Sequence, residues 1–225
     1  MLLLLSACRA DAGAETSFPV AGRDVAPIVS DAFSTEDARD RIGEFEQVMA
    51  LSNVKPGMSV ADVGAGEGYY TVRLSPLVGP TGRVLAQDIV AGTRDSLARR
   101  VEREKLDNVA VRLGQPADPM LPPASFDRIF LVHMYHEVTE PYQFLWHLAG
   151  ALKAGGEVVV VDALRPVKRH GMPVAELKCE FAALGMGPVR FAPLHGGDSY
   201  LMTFRATSAR PAPGAIRPCT GGRPG

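Results

Sequence analysis

Residues 60–70 read VADVGAGEGYY. A short apolar strand run carries an acid at Asp62, glycine then takes every second position (Gly64, Gly66, Gly68), and the residues beyond can open a helix. Glycines so spaced let the backbone turn sharply out of a strand and approach a ligand where a Cβ would collide. The helix opening near Glu67 points its first amides at the same place.

Outward from this turn, strand-like and helix-like segments alternate, the pattern of an α/β fold with a mostly parallel sheet. Ser34 or Thr35 can cap a helix whose stripe of Ile42, Phe45, Val48 and Met49 is stopped by Lys55-Pro56-Gly57. Strands are predicted over 58–63, 83–87, 108–113, 126–133 and 157–162, and helices over 68–77, 93–106, 141–152 and after Pro173. Residues 189–193 and 200–205, joined across His195-Gly196-Gly197-Asp198, form a closing β-hairpin pair. Pro116, Pro119, Pro122 and Pro123 make 114–125 a loop.

A glycine-rich turn alone also serves NAD- and FAD-binding folds. The dinucleotide pattern G-x-G-x-x-G/A, however, wants a small residue where this chain carries Tyr69. Asp62 would repel phosphates but suits a ligand with an ammonium group. Asp88 ends the second strand, 24 residues beyond Gly64, where an acid can accept from two ribose hydroxyls. Together with the hairpin end, these features resemble the class I S-adenosylmethionine-dependent methyltransferases over about residues 41–206. The resemblance implies a Rossmann-like, seven-stranded, mostly parallel sheet of order 3-2-1-4-5-7-6 with helices on both faces and strand seven antiparallel. It implies S-adenosyl-L-methionine as cofactor, lying across the carboxyl ends of strands one, two and four. Gly64, Ala65, Gly66 and Gly68 would shape its turn, Asp62 would meet the methionine end, Asp88 the ribose and Ile89 the adenine. Many relatives read Gly-Asp-Ala after strand three, whereas this chain reads Gly114-Gln115-Pro116-Ala117-Asp118. Gln115 and Asp118 both stand as candidates for the adenine contact.

The fourth strand ends in His133-Met134-Tyr135-His136-Glu137. In the resembling enzymes this edge faces the methyl group, so His133, His136 and Tyr135 are the candidate catalytic groups. Methyl transfer is an in-line displacement in which protein side chains align the acceptor and take its proton. A histidine suits an alcohol, phenol or amine, so a small-molecule acceptor methylated on O or N is expected ahead of C. His133, His136 and Glu137 lack the helical spacing of HExxH, and no metal is expected. The alternatives are a nicotinamide-dependent oxidoreductase and a non-catalytic S-adenosylmethionine-binding protein, the latter having no need of titratable groups here.

The 225 residues are 46% hydrophobic and 22% charged with a formal net charge of −1, which argues against nucleic-acid and membrane-surface partners. Cys8, Cys179 and Cys219 are too few and scattered for a disulfide framework or zinc site, and Cys179 reads as a core residue. Leu5-Ser6-Ala7-Cys8 has the form of a lipobox, which would make Cys8 a lipid anchor and the protein membrane-attached or periplasmic. The run lacks a basic flank and is short for a signal, which leaves a cytoplasmic protein as the alternative. Residues 1–33 are therefore expected to be leader and flexible arm, 34–207 the catalytic domain, and the Pro/Gly-rich 208–225 a disordered tail.

Overall fold

A computed structural model describes residues 17–28 and 35–220. One sheet holds β1 (Ser59–Val63), β2 (Arg83–Asp88), β3 (Val109–Leu113), β4 (Phe126–Val132), β5 (Leu152–Ala163), β6 (Met186–Pro193) and β7 (Ser199–Ala206). Its order is β3-β2-β1-β4-β5-β7-β6. β1 through β5 pair in parallel, and β7 runs antiparallel between β5 and β6. The expected α/β architecture and strand order are both present.

The apolar runs of β4 and β5 are read off alternately by two cores, as a sheet covered on both faces requires. Ile129, Leu131, Val158 and Val160 pack with Leu145 and Leu148 of α5 (Pro141–Ala151) and Phe181 of α6 (Val174–Ala183). Phe130, Val159 and Val161 pack on the opposite side with Val48 of α2 (Glu44–Ser52) and Leu74 of α3 (Tyr69–Val78). β1 neighbours β2 on one side and β4 on the other, so the direction of winding reverses between β1 and β4. That reversal opens a crevice at the carboxyl ends of these strands.

The helix predicted from Thr35 onward is two helices. Gly43 sits at φ +62° and turns the chain between α1 (Glu36–Arg41) and α2. The Thr35 hydroxyl caps α1, accepting from the Ala38 amide at 3.3 Å. Ser34 lies outside the described residues, as do Cys8 and the apolar leader.

Residues 208–220 dock on α5 and α6 in place of the expected disorder. Trp146 donates its indole N–H to the Pro211 carbonyl at 3.0 Å, the Arg210 guanidinium lies 3.6 Å from the Trp146 ring centroid, and Ile216 is buried. Cys219 forms a disulfide with Cys179 of α6, so Cys179 is a cross-link and not a free core thiol. Part of the expected flexible arm docks on the same face. Phe18 meets Trp146 edge-on, Ala26 is buried, and Arg23 reaches Glu180 at 2.8 Å. Composition misreads both segments because a few anchoring side chains decide docking, and averages hide them.

Candidate cofactor and acceptor site

A cavity of about 810 Å³ opens at the carboxyl ends of β1, β2 and β4. Gly64, Ala65 and Gly66 line it, as do Asp88 and Ile89 from the end of β2 and His133 from the end of β4. Gly64 holds φ +69°, and a Cβ on it would come within 2.9 Å of Met134. Among the described residues, none beyond its chain neighbours has an atom within 4 Å of the Cβ position of Gly66. The backbone therefore forms a cradle whose open side is the cavity.

The turn is fastened to β2 through Asp88 and Gln87. Gly66 N–H and Val90 N–H donate to the two Asp88 carboxylate oxygens at 3.0 and 2.9 Å, and Ala65 N–H donates to the Gln87 carbonyl at 2.9 Å. An ionised carboxylate has about four acceptor positions, so Asp88 keeps acceptor capacity for a ligand's hydroxyls. Gln87 also lines the cavity. Its side-chain oxygen accepts from Gly64 N–H at 3.3 Å, while its buried amide nitrogen has no hydrogen-bond partner among the described residues. A buried donor left without a partner costs about 1–3 kcal/mol, which a ligand acceptor would recover.

Several predicted cofactor residues stand behind the cavity wall. Asp62 is buried and accepts from the Thr71 hydroxyl at 2.6 Å, fastening β1 to α3. Burial lifts its carboxyl to about 6. Gly68 makes room for packing, since a Cβ there would meet Leu97 Cδ1 of α4 (Ala91–Arg103) at 2.4 Å. Gln115 and Asp118 pair through their backbones, and Asp118 lies 3.6 Å from His147. Neither reaches the cavity, where Pro116 of the same loop lies instead.

The cluster after β4 is split among separate surroundings. A 3₁₀ turn over Tyr135–Glu137 advances about 120° per residue and fans consecutive side chains apart. His133, at φ +54°, lines the cavity and places Nε2 3.0 Å from Glu44 Oε2 of α2. Tyr135 is fully buried in the opposite direction, donating to Glu180 at 2.7 Å, so no acceptor can touch it. His136 is also buried, with Nδ1 3.0 Å from both carboxylate oxygens of Asp162. Of the three predicted catalytic groups, His133 alone is on the cavity wall; Glu137 joins it there.

Sequence reasoning passes over Glu44, Arg39 and Gln87. Arg39 Nε and Nη2 donate to Glu44 Oε1 at 3.0 and 2.6 Å, and the guanidinium lies 3.9 Å from the Tyr69 ring centroid. Burial works to raise the Glu44 carboxyl, but the hydrogen bonds and charges of His133 and Arg39 outweigh it and hold the group down at about 2. Glu44 is thus an anion throughout the neutral range. An acid set among the apolar positions Phe45 and Val48 was the one signal available in the sequence. Its partner His133 lies 89 residues away.

The match to a described family runs in the same direction as this geometry. Residues 61–160 match a methyltransferase domain. The chain is 32% identical over 165 residues to the ubiquinone/menaquinone biosynthesis C-methyltransferase UbiE of Pseudoalteromonas translucida, covering 65% of this chain and 63% of that protein. It is 30% identical over 160 residues to the protein-L-isoaspartate O-methyltransferase of Methanothrix thermoacetophila, covering 68% and 69%. The chain spans less than two thirds of the first of these and about half the length of other curated quinone-biosynthesis methyltransferases that it matches. An S-adenosylmethionine-dependent methyltransferase from Aquifex aeolicus superposes with a TM-score of 0.68 at 26% identity, over 74% of this chain and 91% of that one. The chain belongs to the class I S-adenosylmethionine-dependent methyltransferases, and S-adenosyl-L-methionine is its cofactor. The nicotinamide-dependent alternative is thereby set aside. Among the described residues no helix is long and apolar enough to cross a membrane.

Proposed function

We propose that this enzyme methylates a small, largely apolar acceptor bearing an acidic hydroxyl, of the phenol or hydroquinone type, with His133 as the general base. The carrying observation is the His133–Glu44 pair on the cavity wall. Because Glu44 is an anion, His133 Nε2 is the donating nitrogen, and Nδ1 holds the ring's lone pair. Nδ1 is the position that takes a hydroxyl proton, and Glu44 stabilises the imidazolium that results. Gly64, Ala65 and Gly66 shape the cofactor's turn, Asp88 accepts from the ribose hydroxyls, and Gln87 Nε2 is the donor for an adenine nitrogen. Bound there, S-adenosylmethionine supplies an electrophilic methyl group.

Deprotonation makes a phenolate oxygen the better nucleophile and O-methylation the first expectation. The same deprotonation loads the adjacent ring carbons of a hydroquinone, and the similarity to C-methyltransferases of quinone biosynthesis favours that second reading. Phenol and hydroquinone pools incubated with methyl-¹³C cofactor separate the two, since methoxy and aryl-methyl carbons differ in chemical shift. Labelling of amines alone would overturn the proposal. Calorimetry tests the ribose role: Asp88→Ala should weaken S-adenosylhomocysteine binding about 10–100-fold, the worth of one or two charge-assisted hydrogen bonds.

A further inference from the structure

Immediately behind the cavity wall, three side chains from two loops converge. His136 and Glu137 come from the turn after β4, and His170 from the end of a short 3₁₀ turn, Val167–Arg169, after β5. One ligand-type atom from each lies within 4.8 Å of the others. His136 Nε2 is 4.0 Å from Glu137 Oε1, and the His136 and His170 rings meet edge to face at 5.5 Å.

We infer that His136, Glu137 and His170 form a binding site for a divalent first-row transition metal, with Asp162 orienting His136. Two imidazoles and one carboxylate are the ligand set used by zinc and by non-haem iron sites that keep open positions. Asp162 is fully buried and takes both of its contacts with the imidazole from Nδ1, at 3.0 Å each. It is held in turn by the Ala163 amide at 2.8 Å. A carboxylate accepting Nδ1–H puts the ring's lone pair on Nε2, the arrangement that orients metal-bound histidines. That lone pair faces Glu137 across 4.0 Å. A cation seated between them would be met by both, and a second imidazole, that of His170, converges on the same point.

His170 is placed there by the backbone. It stands at φ +53°, its amide donating to the Val167 carbonyl at 2.9 Å. Gly171 follows, where a Cβ would lie 2.7 Å from the Ala163 carbonyl and 2.6 Å from Arg165 Cβ, so the loop can lie flat on the end of β5 only with glycine. Ligand atoms on a tetrahedral zinc are about 3.3 Å apart at bond lengths of about 2.0–2.1 Å. Glu137 also lines the cavity, so the metal would adjoin the acceptor space. The site is independent of the base assigned to His133, which is turned toward Glu44.

The full chain, stripped with chelator and dialysed, is titrated with Zn²⁺ by calorimetry and with Co²⁺ by visible absorption. One equivalent of Zn²⁺ with a micromolar or tighter Kd, and a Co²⁺ spectrum of nitrogen and oxygen ligation, are expected. His170→Ala and Glu137→Gln should each weaken Zn²⁺ at least 10-fold and Asp162→Asn about 10–100-fold, while His195→Ala leaves it unchanged. S-adenosylhomocysteine binding by each variant reports that it has folded. Absence of stoichiometric Zn²⁺ and Co²⁺ binding by the wild-type chain would overturn the inference, as would unchanged affinity in folded His170→Ala.

Discussion

The two sides of this enzyme are held together by different physics. Behind the sheet, α5 and α6 are clamped by both ends of the chain: Phe18 and Arg23 from one, Arg210, Ile216 and the Cys179–Cys219 disulfide from the other. In front, α2 packs Phe45 and Val48 into the core, whereas α1, which buries no residue, covers the cavity and is tied down largely by ions. Arg39 meets Glu44, Arg73 meets Asp40, and Arg100 meets Glu36. A disulfide, apolar contacts and a buried ion pair change little with solvent, whereas the partly exposed ion pairs of α1 are screened by salt and exchange partners readily. The rigid side carries the scaffold, and the adjustable side carries the cover under which ligands must pass.

The largest effect should come from breaking the rear clamp. The disulfide closes a sequence separation of 40 residues, for which chain entropy gives about 3–4 kcal/mol. Cys219→Ser should lower the free energy of unfolding by that amount while cofactor affinity, measured at a temperature where the variant is folded, stays within twofold. A large loss of affinity would show that the two sides are not separable.

On the front side, Glu44→Gln removes the anion that orients His133. It should lower kcat about 30–100-fold, a cost of about 2–3 kcal/mol in the barrier, and leave KM for the cofactor nearly unchanged. Equal losses in both parameters would place Glu44 in binding and not in proton transfer.

Asp62 bridges the two regimes, being an acid buried at the base of the cofactor turn. Burial raises its folded carboxyl to about 6 from 3.8. A group raised in this way stabilises the fold fully below about pH 4 and loses that contribution as pH climbs through 6. Asp62→Asn, which can still accept from Thr71, should therefore stabilise the protein by about 1–3 kcal/mol at pH 7.5 and have almost no effect near pH 4. Denaturant melts at the two pH values test the sign.

The smallest effect belongs to the exposed ties of the cover. Glu36→Gln should change stability by less than about 1 kcal/mol and raise the cofactor off-rate only a few-fold, with the difference fading in 0.5 M salt. Stopped-flow release of S-adenosylhomocysteine at two ionic strengths measures it.

What the sequence reveals follows the range of the interactions concerned. The strand-turn-helix of 60–70, the acid at Asp88 and the alternation of strands are local patterns, and the structure contains them all. Asp62 and Gly68 belong to the motif, but their work is internal, and spacing alone cannot distinguish a residue that touches a ligand from one that holds the residue that does. Gln87 shows the converse, since strand alternation would turn its side chain away from that of Asp88, yet the open turn at Gly64 and the glycine at Gly114 let it reach the cavity. Glu44 with His133, Glu180 with Tyr135, and Cys179 with Cys219 are pairs made by the fold across 40 to 89 residues. Apart from the setting of Glu44 among Phe45 and Val48, nothing in the neighbourhood of either partner announces them.

The five residues from His133 to Glu137 serve the front cover, the rear core and the inner loops in turn: His133 to Glu44, Met134 against Gly64, Tyr135 to Glu180, His136 to Asp162, and Glu137 to the cavity. Such a junction is read in frame. Replacing one side chain severs one connection, but inserting or deleting a single residue rotates every later one into its neighbour's place and severs several at once. The segment should therefore lose one connection to a single replacement and several to any change of length, so that a one-residue deletion here costs more than any one substitution.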